Sequence, residues 1–331
     1  MNWSRLLIFA GKKAIGSLIT IFLIMTIVFI LMNSVPGGDP VLRRYGLASK
    51  EVQDQIREAW GLTKPLYERY VLYMKRVFTF NYELYVNQES TATDLLLPLL
   101  PYTLLLFGTA TILTYVLGTF VGIRVLARKN KYVENMVAGV SIALYALPVF
   151  VLAIILKTWL VFRYELLPPV SVSISFMDGH VRSAGDLGFM RNLGTVLPSM
   201  MLPLAVLVVV GLARPLLLIR EQMATLVGEP FVTTARAKGL TENQVYSKHI
   251  ARCALLPLLN DAAVNLALIV SGGIIIEYVF SWPGIGLALF EALKYLDSPV
   301  VSCAIFLLTL TLLALLFVAD VVSAYLDPRV S

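Results

Sequence analysis

Glu229-Pro-Phe-Val-Thr-Thr-Ala-Arg-Ala-Lys-Gly-Leu-Thr-Glu-Asn-Gln-Val-Tyr-Ser-Lys-His-Ile-Ala-Arg-Cys-Ala-Leu-Leu-Pro257 is a polar, helix-forming insert set between two long apolar runs. Its punctuation divides it in two. Pro230 suits a first helical position, where the missing N–H removes no hydrogen bond, and Gly239 suits the left-handed residue just past a helix end. A first helix is therefore expected over Pro230 to Lys238. Thr241 and Gln244 form a capping box, so a second helix starts there and runs toward Pro257. Phe231 and Ala235 are four apart and share one face, while Arg236 and Lys238 point elsewhere. A small apolar knob with basic flanks suits a groove on a partner, and equally suits an interfacial helix resting on anionic lipid.

The flanking runs set the class. Of the 331 residues 58% are hydrophobic and 15% charged, with a mean hydropathy of +0.79. Soluble domains carry about a quarter charged residues. Uncharged runs at 14–36, 101–123, 137–156, 193–213 and 298–319 each reach about the 20 residues that a bilayer-crossing helix needs, and a sixth at 254–276 is interrupted only by Asp261. An all-α integral membrane protein of six transmembrane helices is expected. The run 14–36 exceeds the roughly 7–15 residues of a cleavable signal core, so it reads as a retained first span.

Orientation follows from the short loops. Arg5, Lys12 and Lys13 precede the first span. Arg124, Arg128, Lys129 and Lys131 follow the second, and Arg220, Arg236, Lys238, Lys248 and Arg252 follow the fourth. These clusters place both loops and both termini in the cytoplasm, so the net charge of +6 records topology and is no argument for nucleic acid. The chain is divided into residues 1–36 (N-terminus and first span), 37–100 (a small helical extracytoplasmic segment) and 101–331 (a five-helix core holding a cytoplasmic loop at 221–252).

In the external segment Ser49 can cap a helix that ends at Gly61, and Leu66, Tyr70, Tyr73 and Val77 repeat at helical spacing after Pro65. That stripe is either local core or a docking face. Pro148, in Tyr145-Ala-Leu-Pro, breaks the third span, because proline removes one helical hydrogen bond and clashes with the preceding turn. Asp261 and Asn265, four apart, share a face inside the fifth span. An intramembrane carboxylate faces protein or water, either on a solute path or in an interhelical hydrogen bond. Gly272-Gly273 permits close helix approach, and Glu277 either contacts solute or fixes the turn that follows. Cys253 at the cytoplasmic start of the fifth span and Cys303 near the external start of the sixth lie most of a bilayer apart, beyond the roughly 7 Å limit of a disulfide, and read as unpaired packing residues.

Thr234-Ala-Arg-Ala-Lys-Gly-Leu240 resembles the coupling-loop signature of ABC importer permeases, in the variant of the dipeptide/oligopeptide/nickel family. The general importer pattern has Glu-Ala-Ala where this chain has Thr233-Thr234-Ala235, a departure shared by the peptide branch. Val35-Pro-Gly-Gly-Asp-Pro40, Leu147-Pro-Val-Phe150, Glu277-Tyr-Val-Phe-Ser-Trp-Pro-Gly-Ile-Gly286 and Leu326-Asp-Pro-Arg329 resemble further family motifs, with Val149 where serine is common. The resemblance covers nearly the whole chain. It implies a type I ABC importer permease fold, with Glu229, Pro230, Phe231, Thr234, Ala235, Arg236, Ala237, Lys238 and Gly239 docking on an ATPase. It also implies the partners: a second homologous permease, two ABC ATPase subunits that bind ATP and Mg, an extracytoplasmic substrate-binding protein, and membrane lipid. Pro148, Asp261, Asn265 and Glu277 are the candidates for the translocation path.

Competing chemistry is absent from the residues. There is no Gly-x-x-x-x-Gly-Lys-Ser/Thr loop to cradle ATP phosphates, so no cofactor is expected on this chain. His180 and His249, the two histidines, fall on opposite sides of the membrane and form neither a metal site nor a catalytic pair. A self-sufficient secondary transporter would show an internal repeat and paired midspan ionisable groups, whereas Asp261 stands alone. Short peptides are the commonest cargo implied, with oligosaccharides or nickel chelates as the alternative.

Overall fold

The computed structural model describes residues 3–35, 38–82, 91–128, 130–168 and 193–326. The external loop around His180 and the terminal Asp-Pro-Arg motif lie outside the described residues. The chain begins with α1 (Trp3–Ser34), followed by α2 (Pro40–Tyr45), α3 (Lys50–Ala59) and α4 (Leu66–Thr79). Next come α5 (Ala92–Leu96), α6 (Leu100–Ala127), α7 (Lys131–Ala146) and α8 (Val149–Lys157). The third quarter holds α9 (Leu193–Gly211), α10 (Ala213–Leu226), α11 (Pro230–Ala237) and α12 (Glu242–Gln244). The chain continues through α13 (Ala251–Gly272), α14 (Ile274–Phe280), α15 (Ile285–Tyr295) and α16 (Ser298–Leu326).

Four continuous helical stretches are long and apolar enough to cross a bilayer: Gly11–Ser34, Ala92–Ala127, Val196–Leu226 and Ser298–Val321. The bent pairs α7–α8 and α14–α15 bring the candidates to as many as six. At about 1.5 Å per residue, the 22-residue α13 is also about 33 Å long. Each of the six apolar runs in the sequence is thus helical, with three revisions. The third is not one kinked rod, because α7 and α8 meet at 86°. Leu147 is extended (φ −74°, ψ 129°), as expected of a residue whose successor is proline, so the helix ends there and restarts after Pro148. The fourth runs on to Leu226 as one stretch of 31 residues, which moves Arg214 from the span's inner end into its body. The fifth continues through Pro257, and α12 passes into it by a wide π turn at Val245–Ile250.

The described residues fall into two compact units. One is drawn from Met1–Thr103, Val170–Val196 and Ser271–Leu313, the other from Leu104–Pro169, Leu197–Val270 and Ala314–Ser331. In the first, Asp39 caps α2 by accepting from the Val41 N–H at 2.8 Å, and Ser49 caps α3. Arg57 then ties α3 back to Asp39 at 2.7 Å. α4 lies along α1: Tyr70 hydrogen-bonds Thr26 at 2.9 Å, and Phe29 stands 5.2 Å from the rings of both Tyr70 and Tyr73. The tyrosine stripe is therefore local core, and Val77 is fully buried beneath it. Leu66 is not part of it, being 59% exposed. Cys303 is buried within 3.7 Å of Thr93, whereas Cys253 is exposed and does not pack as expected; both are free.

In the second unit, small residues set the helix spacing. A Cβ on Gly118 would meet Pro215 at 2.6 Å, and one on Gly122 would meet Ile219 at 2.4 Å, so α6 and α10 touch backbone to side chain. Arg220 of α10 donates to Glu134 of α7 at 2.7 Å.

Candidate functional site

α11 is built as its sequence dictates. Glu229 is extended, Pro230 occupies the first turn, and Gly239 takes the left-handed conformation at φ +77°. No atom lies within 4 Å of a Cβ placed on Gly239, so its backbone angle alone calls for glycine. Thr241 and Gln244 complete the capping box at the next helix start. The helix stops at Ala237, with Lys238 as its cap.

The inner face departs from expectation. Ala235 was read with Phe231 as an outward knob, yet it is 3% exposed and packs inward beside Val232, which is fully buried. Both sit in a cluster with Ile219 and Met223 of α10, Val245 and Ile250 of the wide turn, and Ala254 of α13. Phe231 packs at the edge of the same cluster. The outward face consists of Glu229, Pro230, Thr233, Thr234, Arg236, Ala237 and Lys238. Arg236 is engaged, donating to Glu242 at 2.9 and 3.4 Å across the turn. That carboxylate holds the guanidinium further above its ordinary pKa. The pair bridges the turn between α11 and α12.

Asp261 does not stand alone. Arg214 of α10 donates to it twice, Nε to Oδ2 at 2.9 Å and Nη2 to Oδ1 at 2.6 Å. Tyr115 of α6 donates its hydroxyl to the same carboxylate, and Asn265 donates to the Tyr115 oxygen at 3.1 Å. Three helices of this unit are thereby joined around one charge pair. The fork-on-carboxylate geometry is the strongest form of ion pair available to side chains. Arg214 carried a legible signal, a cation at the end of the uncharged run 193–213; Tyr115 carried none.

Glu277 is enclosed within the first unit. It is 1% exposed, accepting from Thr103 Oγ1 at 2.8 Å and from the Leu287 N–H at 3.1 Å. Thr103 in turn accepts from the Ile285 N–H at 3.0 Å, and Trp282 donates to the Tyr102 carbonyl at 3.0 Å. The carboxylate thus caps the N-terminus of α15, where the helix dipole favours negative charge. A Cβ on Gly284 would lie 2.1 Å from Glu277 Oε1, which explains the glycine in that turn. Of the remaining path candidates, Pro148 is exposed at the α7–α8 break.

Long apolar helices around an embedded ion pair, with a short polar helix clamped to the body, are the architecture of a multi-pass membrane transport subunit. Residues 96–331 match the family described as binding-protein-dependent transport system inner membrane component, and residues 6–92 match its N-terminal companion. The chain belongs to that family, the inner-membrane permease subunits of ABC importers. It is 29% identical to a dipeptide transport system permease protein of Lactococcus lactis over 319 residues, 95% of each chain. A Bacillus subtilis protein of the same description is 26% identical over 312 residues, 94% of each. A glutathione transport system permease protein of Escherichia coli is 27% identical over 320 residues, 96% of this chain and 97% of the relative.

Proposed function

We propose that this chain forms half of a translocation path for di- and oligopeptides, paired with a homologous permease and moved by two ATPase subunits that bind ATP and Mg. Peptide cargo is supported by the relatives' descriptions, two naming dipeptides and one naming glutathione, itself a modified tripeptide. The proposed orientation, with both termini cytoplasmic, is supported by the basic clusters of the short loops.

The observation that carries the mechanism is the clamping of α11. Val232 and Ala235 lock it to α10 and α13, while Thr234, Ala237 and Lys238 face outward. A force on the outward face reaches Ile219, Met223 and Ala254 without an intervening loose segment. Those two helices also carry Arg214 and Asp261. Closure of the ATPase pair would therefore tilt α10 and α13 together and switch the path from inward- to outward-facing. A binding protein then delivers peptide to the outer mouth.

Ala237→Arg tests this reading, because it places a bulky cation on the outward face without disturbing the packed one. The expected result is an unchanged amount of chain in the membrane, with ATPase co-purification and peptide uptake each reduced at least about tenfold, a loss of ~1.4 kcal/mol in docking. Peptide uptake by the chain reconstituted without any ATPase would overturn the proposal.

A further inference from the structure

The Arg214–Asp261 pair lies midway along the membrane-crossing helices that hold it. At about 1.5 Å per residue, Asp261 is ~15 Å from the start of α13 and ~17 Å from its end, and Arg214 is ~18 Å from the end of α10 at Leu226. A charge at that depth faces protein or water rather than acyl chains. Protein does not seal this pair, because the side chain of Arg214 is 40% exposed and that of Asp261 20%. Pro257 and Val264, about a turn to either side of Asp261 on the same face of α13, are exposed as well. Together these residues mark an opening onto water at midspan.

Of the two charges, the cation is the one with capacity left. Asp261 accepts on both oxygens, Oδ1 from Arg214 Nη2, and Oδ2 from Arg214 Nε and the Tyr115 hydroxyl. A guanidinium is planar, with five N–H groups and more than one edge that fits a carboxylate. Asp261 takes the edge formed by Nε and Nη2, so the edge formed by Nη1 and the second N–H of Nη2 points away from it. That edge suits a second carboxylate, which makes the ligand an anion. Resting on the peptide path proposed above, the carboxylate common to every cargo, whatever its side chains, is the C-terminal one. We propose that Arg214 holds the C-terminal carboxylate of the peptide in transit on its free edge, while Asp261 orients the guanidinium and neutralises it when the path is empty. Two carboxylates on one guanidinium repel each other, so Asp261 also keeps the peptide's hold weak enough to break.

The test uses the assembled transporter, purified in detergent without its binding protein and titrated with trialanine, trialanine amide and N-acetyl-trialanine, with binding read by saturation-transfer NMR. Trialanine and its N-acetyl form should bind at least about tenfold more tightly than the amide, and Arg214→Gln should abolish that difference. Asp261→Asn, in a complex whose size-exclusion profile matches the parent, should bind trialanine at least about tenfold more tightly, a change opposite to that of a merely structural role. The comparison of acid with amide on the unaltered protein needs no variant to fold. Equal binding of acid and amide, or unchanged or weaker binding in Asp261→Asn, would overturn the proposal. Discrimination that survives in Arg214→Gln while the second permease no longer co-purifies would also overturn it, reassigning the pair to the interface between the two permeases. Trialanine uptake by proteoliposomes holding the complete transporter and its binding protein, together with equal binding of acid and amide, would sink this assignment alone. Uptake of an oligosaccharide or nickel chelate and of no peptide would instead sink the cargo reading beneath it.

Discussion

Replacing Asp261 by asparagine removes one charge and leaves nearly the same shape. Arg214 then keeps its position in the body of a 31-residue apolar helix but loses the carboxylate that receives two of its N–H groups. A lone arginine at the centre of a membrane helix costs about 2.5–3.5 kcal/mol on insertion scales. The Arg214 side chain is 40% exposed, so part of that charge finds water or headgroups, and about 2 kcal/mol is the expected loss. The double variant Arg214→Gln/Asp261→Asn carries no charge and can still hydrogen-bond across the helices, where such bonds average about 0.6 kcal/mol. It should therefore be destabilised by less than about 1 kcal/mol, giving a coupling of at least ~1 kcal/mol in the cycle. Reversible denaturant titration of the four proteins in one detergent measures each value. If the double variant loses as much as the two single variants added together, the pair is not an energetic unit.

Gly239→Val should uncouple ATP hydrolysis from uptake with normal membrane levels, since only the backbone angle opposes it, by about 1–2 kcal/mol. Gly239→Asn, which tolerates that angle, should retain coupling, and loss of coupling in both would place the requirement elsewhere. In the α14–α15 turn, Gly284→Ala forces a Cβ onto Glu277 and should lower the amount of folded chain several-fold, whereas Gly228→Ala, with nothing within 4 Å, should not; fluorescence-detected size exclusion compares them. Glu277→Gln should cost about 1–3 kcal/mol, because one oxygen that accepts from Thr103 or Leu287 becomes a donor, and the same titration reports it.

Much of the fold was legible because apolar length and local punctuation are properties of neighbouring residues. Pro230, Gly239 and the Thr241–Gln244 box marked α11 and the start of α12 within a residue. What escaped depends on residues far apart in sequence. Ala235 lies on the same helical face as Phe231 and also beside Val232, and only the presence of Ile219 and Ala254 decides which side is covered. Asp261 was conspicuous, but its partners lie 47 and 146 positions away. The sequence offers Glu277 two roles, contact with solute or fixing the turn that follows, and its place as a cap in that turn rests on Thr103, 174 positions earlier. Proline at 148 gave the break, and the 86° between its two halves is a matter of packing that no local rule supplies.

The π turn at Val245–Ile250 has one further consequence. Both of its end residues are fully buried, although five positions apart on an ordinary helix they would diverge by about 140°. The wide turn uses one residue more than continuity requires, and so sets the rotational phase between the elbow and the rod beneath it. Gain or loss of a single codon at 246–249 would re-aim the elbow by roughly a quarter turn while leaving both flanking surfaces intact, a route by which a permease could be refitted to a different motor.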